Sequence, residues 1–244
     1  MATWIAHLRI AERLLDRIEG LDPAYFAIGN IAPDAGIPDE NWEHFNPPSE
    51  VSHFKLSGGA DFALADLAFF RQHLQPLREQ KVDSERFAYL LGYFFHLVTD
   101  NLWAQAVGRP THERFAEAFA GDPDFIWEVK RDWYGLDFEY VRENPDSIFW
   151  RVFLDCRYDA DFLDFMPPEA VQERLDYIKD FYQRTDEKVE AHYIQHPGCF
   201  LTQKEMDDFI QEASGRLIRI YQALWQENCV VPAQTSALGL DIFD

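Results

Sequence analysis

The stretch GYFFHLVTDNLW, residues 92–103, places His96 and Asp100 four residues apart in an otherwise apolar run. Four residues make about one turn of α-helix, so both side chains leave the same face. A lone buried carboxylate is costly, so Asp100 needs a partner. Taken alone, the pair reads first as a hydrogen-bonded couple inside a helix and second as part of a metal site. Three further residues hold comparable positions. His7 shares the apolar face of the N-terminal segment with Trp4, Ala11, Leu14 and Ile18. Asp34 follows GNIAP at a bend between Pro33 and Gly36, and His53 closes a long polar stretch in SEVSHFK. Imidazole and carboxylate are the donors of a catalytic zinc site, with Zn–N near about 2.0–2.1 Å. A carboxylate that bridges, as Asp100 could, spans two ions about 3.5–4 Å apart, the spacing used in phosphoryl transfer. The same N/O donor set also suits nickel, iron or manganese.

The elements that must position these residues are helical, and the expected class is all-α in one multi-helical domain covering 1–244. Thr3 is placed to cap a first helix running to about Glu19, with Gly20 as its stop. Asp22-Pro23 opens a short second helix with Pro at its favoured first position. Residues 31–50 are rich in Pro, Asp and Asn and read as a long loop, the kind of segment that carries function in compact domains. Helices are predicted near 59–75, from Ser84 to about Val107, and near 111–119, 123–134, 145–155, 168–190 and 202–227, with an irregular tail from Cys229. Sustained period-two alternation, internal repeats and low-complexity linkers are all missing from the sequence.

Composition narrows the function. Of 244 residues, 47% are hydrophobic and 16% aromatic, which describes a folded chain with a large aromatic core. Lys plus Arg number 22 against 43 Asp plus Glu, for a net charge of −21. Such a surface repels nucleic-acid backbones and anionic membranes, so a nucleic-acid binder is not expected. A small anionic substrate stays open, because a divalent ion can dominate the local field. No apolar run is long enough to span a bilayer. The opening MATWIAHLRIAERLL lacks the features of a secretory signal, and Cys156, Cys199 and Cys229 are scattered and odd in number. A cytoplasmic protein with reduced thiols and no stable membrane anchor is the expectation.

TWIAHLRIAERLL, IGNIAPDAG, VSHFK and LGYFFHLVTDNLWA, in that order, resemble the zinc-dependent phospholipase C family, whose all-helical fold is shared with fungal zinc nucleases. The resemblance covers roughly residues 1–107. It implies a central metal site of Asp34, His53, His96 and Asp100, with Asp100 bridging to a second ion held by His7. It implies a metal-bound hydroxide that attacks phosphorus, with Asp34 also a candidate general base. The expected cofactor is zinc, two ions, with a third only if further ligands exist. His112, Glu128 and Asp132 are the candidates for that third site, since the later His-x-x-x-Glu of the family pattern is missing. The secreted members complete their site with an N-terminal tryptophan. Here Trp4 is internal, so that ligand is expected to be lost and replaced by water.

Bland readings stand beside these. Asp34 could cap a turn, His7 could be a core histidine, and His53 could lie on the surface. His44, His73, His192 and His196 read as bystanders. The sequence supports a phosphoesterase acting on a small phosphodiester or phosphomonoester. The alternative is a non-catalytic, metal-stabilised scaffold of the same fold. An HD-type phosphohydrolase needs an adjacent His-Asp dipeptide, and the chain has none.

Overall fold

The computed structural model describes residues 1–40, 44–56, 64–80, 83–195, 200–227, 229–231 and 234–242. His196, Cys199 and the expected start of a helix at 59 lie outside them. Helix α1 (Trp4–Leu15) begins at Thr3, whose Oγ1 accepts the Ala6 N–H as expected. It ends one turn short of the expected Glu19, and Gly20 takes the left-handed conformation, φ +80°, in the turn that follows. Helix α2 (Pro23–Gly29) is capped by Asp22, and the next turn, Ala32–Asp34, is a 3₁₀ turn. The long polar stretch then forms a two-residue hairpin, β1 (Ile37–Pro38) against β2 (Phe45–Asn46), and a short helix α3 (Ser49–Ser52).

Helix α4 (Asp66–Phe69) continues through a π-helical turn to Leu74 and a 3₁₀ turn to Glu79. Helix α5 (Ser84–Trp103) is the axis of the molecule. Its cap is Asp83, whose side chain accepts the Glu85 N–H. It is buried from Ala88 to Trp103. The predicted helix at 111–119 divides at Phe115 into α6 (Arg109–Arg114) and α7 (Ala116–Gly121). Helix α8 (Phe125–Glu143) runs well past the expected end. The segment near 145–155 holds only α9 (Ile148–Arg151) and a 3₁₀ turn. The helix expected at 168–190 breaks after Tyr182 into α10 (Pro168–Tyr182) and α11 (Glu187–Val189), where Asp186 caps the restart. Helix α12 (Gln203–Tyr221) opens on a capping box between Thr202 and Glu205.

Buried apolar residues form one continuous cluster running from Ala2 to Ala237. The fold is all-α, and the hairpin is its only regular β-structure among the described residues. Helices α2 and α5 cross backbone against backbone. A Cβ on Gly29 would stand 2.1 Å from the Tyr89 carbonyl oxygen, and one on Gly92 would stand 2.5 Å from that of Phe26. The irregular tail is not loose. Asp66, fully buried, accepts from the Ala237 N–H at 2.7 Å, the Ser236 hydroxyl at 2.5 Å and the Asn101 amide at 2.7 Å. Tail and α5 are thereby tied together one residue away from Asp100.

Candidate metal centre

Five of the residues singled out by type and spacing converge from four elements. His7 comes from α1, Asp34 from the 3₁₀ turn after α2, His53 from the C-cap of α3, and His96 and Asp100 from α5. The two oxygens of Asp100 face different histidines. Oδ1 lies 3.4 Å from His7 Nε2, while Oδ2 lies 3.5 Å from His96 Nε2 and 3.9 Å from His53 Nε2. His53 Nε2 is also 3.2 Å from Asp34 Oδ1. The rings of His7 and His96 stack with centroids 3.9 Å apart.

Each ring is aimed by a contact behind it. His96 Nδ1 lies 2.8 Å from the backbone carbonyl oxygen of Asn30, which makes Nδ1 a protonated donor and turns Nε2 toward Asp100. His53 Nδ1 lies 3.0 Å from Ser52 Oγ, and the Tyr93 hydroxyl donates to the Ser52 carbonyl at 2.6 Å. The chain leaves His53 through Phe54 in the left-handed region, φ 51°. There the Phe54 ring, packed on Phe69 and Phe165, holds a backbone that a non-glycine residue seldom adopts.

Burial decides the charge states. Desolvation pushes His7 down to about 4, with the neighbouring His96 adding to the effect, so His7 is neutral at physiological pH. His96 also suffers desolvation, but the nearby Asp100 charge outweighs it and leaves its pKa raised. Burial alone would raise both carboxyls. His53 and His96 more than reverse this at Asp34. At Asp100, His96 and the nearby N-terminal charge do the same. Both carboxylates are therefore ionised and available as donors.

The donor set fits a metal ion on one further count. His7 Nδ1 and Nε2, His96 Nε2 and Asp100 Oδ2 are all buried without a hydrogen-bond partner. Orphaned buried polar atoms are rare because each costs about 1–3 kcal/mol, and here His7 Nε2 and His96 Nε2 both face the Asp100 carboxylate. Two groups of three donors result, His7/His96/Asp100 and Asp34/His53/His96, the ligand atoms in each lying within 4.8 Å of one another.

The third site fares differently. His112 stacks on Phe119 with centroids 4.5 Å apart, and Glu128 is exposed and pairs with Arg131. Asp132 is buried, but its Oδ2 accepts the backbone N–H groups of Phe200 and Leu201 at 2.9 and 3.0 Å. No additional three-donor group forms among the described residues.

Two N–H donors from the start of the chain reach the carboxylates of the cluster without being able to ligate a metal themselves. The Ala2 backbone N–H donates to Asp100 Oδ1 at 2.8 Å, and the Trp4 indole Nε1–H donates to Asp34 Oδ2 at 2.9 Å. Neither is announced by any motif. The i,i+3 spacing of Trp4 and His7 was the available signal, since it puts the indole on the ligand face. Beside Asp34 opens a cavity of about 670 Å³, with Trp4, Lys130, Tyr134 and Arg174 among its walls.

No curated protein and no solved structure matches this chain. The family described as zinc dependent phospholipase C matches residues 6–127, half of the chain and the half that carries all five converging residues. With that match joined to the four motifs and the helical fold, the chain belongs to the zinc-dependent phospholipase C family.

Proposed function

We propose that this protein is a zinc-dependent phosphoesterase that hydrolyses a small phosphodiester or phosphomonoester at the Asp34–His53–His96–Asp100–His7 cluster. The observation that carries the reading is the set of orphaned, buried, mutually facing donors beside an open cavity. His7, His96 and Asp100 would hold one ion, and Asp34, His53 and His96 or Asp100 the other. A bound divalent ion supplies Lewis acidity to phosphoryl oxygens and acidifies a water.

The chain's own residues do the remainder. Asp34 is the ligand carboxylate that reaches the cavity wall. It stays ionised there and so can accept a proton from an attacking water. Trp4 fixes the Oδ2 atom of that carboxylate. Neutral His7 offers a lone pair without first losing a proton. The apolar surroundings of α5 exclude bulk water and keep the imidazoles in one orientation. No helix among the described residues is long and apolar enough to cross a membrane. The substrate is therefore read as a water-borne phosphoester and the compartment as cytoplasmic, where thiols such as Cys156 stay reduced.

The test pairs elemental analysis with a panel of aryl phosphoesters, run on the native protein and on Asp100→Asn. Loss of both bound zinc and hydrolysis in the variant is expected, and full activity there would sink the assignment. One observation favours the scaffold reading instead: the Ala2 N–H already occupies Asp100 Oδ1. Bound metal with no turnover of any phosphoester would decide for it.

A further inference from the structure

We propose that the cavity beside Asp34 is a second anion subsite, and that the substrate is a phosphoester whose leaving group carries a carboxylate or another phosphate on a planar or apolar body. This deepens the phosphoesterase reading and rests on it.

The first observation is where this acidic chain leaves cations unpaired. Some basic residues elsewhere pair with carboxylates: Arg9 with Asp207, Arg142 with Glu190, Arg151 with Glu12, Lys204 with Asp208. Acidic residues outnumber basic ones 43 to 22, yet this one wall gathers Lys130, Arg131 and Arg174. Arg174 and Lys130 both line the cavity and neither is in an ion pair among the described residues. Arg174 Nε is buried without a hydrogen-bond partner. Lys130 is half-buried and feels the charges of Asp34 and Asp100, which places it toward the metal side. The other charged groups at this wall are the Met1 amino group, Arg131, engaged by Glu128, and the carboxylates Asp34 and Glu173. Ions bound at the cluster would offset Asp34. Glu173 is the chain neighbour of Arg174 on α10, and adjacent helical residues do not face each other.

The second observation concerns the aromatic walls. Trp4, Trp127 and Tyr177 could in principle cradle a quaternary ammonium head group. Their faces are already covered by the protein's own cations. The Arg174 guanidinium stands 5.6 Å from the ring centroids of both Trp4 and Tyr177, and Lys130 Nζ stands 4.8 Å from that of Trp127. Stacking orients a guanidinium while leaving its N–H edge free for an anion, the arrangement in which Arg binds carboxylate and phosphate best. A cationic head group would meet like charge at each of these faces.

The third is continuity. The indole that carries Arg174 on its face donates its N–H to Asp34. One rigid ring therefore fixes the spacing between the reacting phosphoryl group and the distal anion. Tyr134, stacked on Trp4, and Phe181, edge-on to it, leave apolar wall between them for the body of the leaving group.

The test is calorimetric titration of the zinc-loaded protein with three phenylphosphonates, which cannot be hydrolysed. They carry a para carboxylate, carboxamide or trimethylammonium group. The carboxylate probe is expected to bind about tenfold tighter than the carboxamide, with the trimethylammonium probe weakest. The Arg174→Gln/Lys130→Gln double variant should lose that preference while binding the carboxamide within about twofold of native, and Arg174→Lys should restore part of it. Equal affinities in the native protein, a preference for the ammonium, or a preference untouched by the double variant would each overturn the subsite. Turnover of the matching phenyl phosphates separates the two readings. Carboxylate preference without hydrolysis leaves the subsite standing and sinks the phosphoesterase. Hydrolysis with no preference among the three sinks the subsite alone.

Discussion

The backbone carbonyl of Asn30 and the imidazole Nδ1 of His96, 2.8 Å apart, join the end of helix α2 to the metal-facing helix α5. The contact exists because the two helices touch at Gly29 and Gly92, where no side chain keeps the backbones apart. Gly92→Ala would drive a Cβ to 2.5 Å from the Phe26 carbonyl oxygen, so the helices must separate. Overpacking of this kind costs about 1–3 kcal/mol. Loss of a contact that orients a ligand lowers metal affinity by about 10–100-fold. Thermal unfolding and zinc titration of Gly92→Ala should show both effects. An unchanged melting temperature with unchanged affinity would refute the link between crossing and ligand aim.

Zinc should stabilise the fold strongly, because the donors it would satisfy are otherwise buried and unpaired. Ligand at 100 times its Kd adds about 2.7 kcal/mol. In a chain of this size that raises the melting temperature by roughly 5–10 °C. Protons compete unevenly. His7, already held down to about 4, presents a lone pair throughout the physiological range, whereas His96, with its raised pKa, must give up a proton to ligate. Affinity should therefore fall first with protonation of His96 as the pH drops, before His7 begins to compete. Calorimetry in chelator-stripped protein across that range measures it. A stabilisation by zinc that did not vary with pH would contradict the assigned charge states.

The residues that converge could be picked out from the chain because they sit on regular or sharply bent elements with local signatures. His96 and Asp100 declare themselves by one helical turn in an apolar run, and Asp34 by the Pro-rich bend that ends α2. The failures share a cause: their partners are distant in sequence. Asp132 faces the backbone at residues 200 and 201, and Ala2 reaches Asp100 across nearly a hundred residues. Local periodicity contains no trace of either. The helix expected at 168–190 breaks because Asp186 and its neighbours favour a fresh cap over continuation, a competition that the apolar spacing of the segment does not reveal.

Trp4 should tune Asp34. The indole N–H donates to Oδ2, which favours the ionised carboxylate along with His53 and His96. Trp4→Phe keeps the ring and removes only the donor. The Asp34 pKa should rise, and the acidic limb of the kcat/KM profile should move to higher pH by a few tenths to about one unit. Zinc content should be little changed. A profile that does not move would remove Asp34 from the proton-transfer role, and zinc loss would instead make Trp4 a packing residue.

Asp137 offers a stability test independent of metal. Fully buried, it accepts the Thr3 hydroxyl at 2.7 Å and the Tyr182 hydroxyl at 2.5 Å. Burial lifts its pKa to about 7 despite those bonds and the charge of Arg9. In the unfolded chain the same carboxyl ionises near about 3.9. Between these values the unfolded state binds fewer protons, so this residue's stabilising contribution, complete below about 4, declines as pH rises and levels off above 7. The slope is at most about 1.4 kcal/mol per pH unit. His7, lowered to about 4, and Asp66, raised to about 6, also titrate in this range. Their contributions cancel when native protein and Asp137→Asn are compared in chelator. The variant, neutral throughout, should gain stability relative to native from pH 4 to 7 and hold a constant advantage above that. Urea unfolding at a series of pH values reads the difference directly, and a flat difference across that window would show that Asp137 is ionised in the folded protein at all of them.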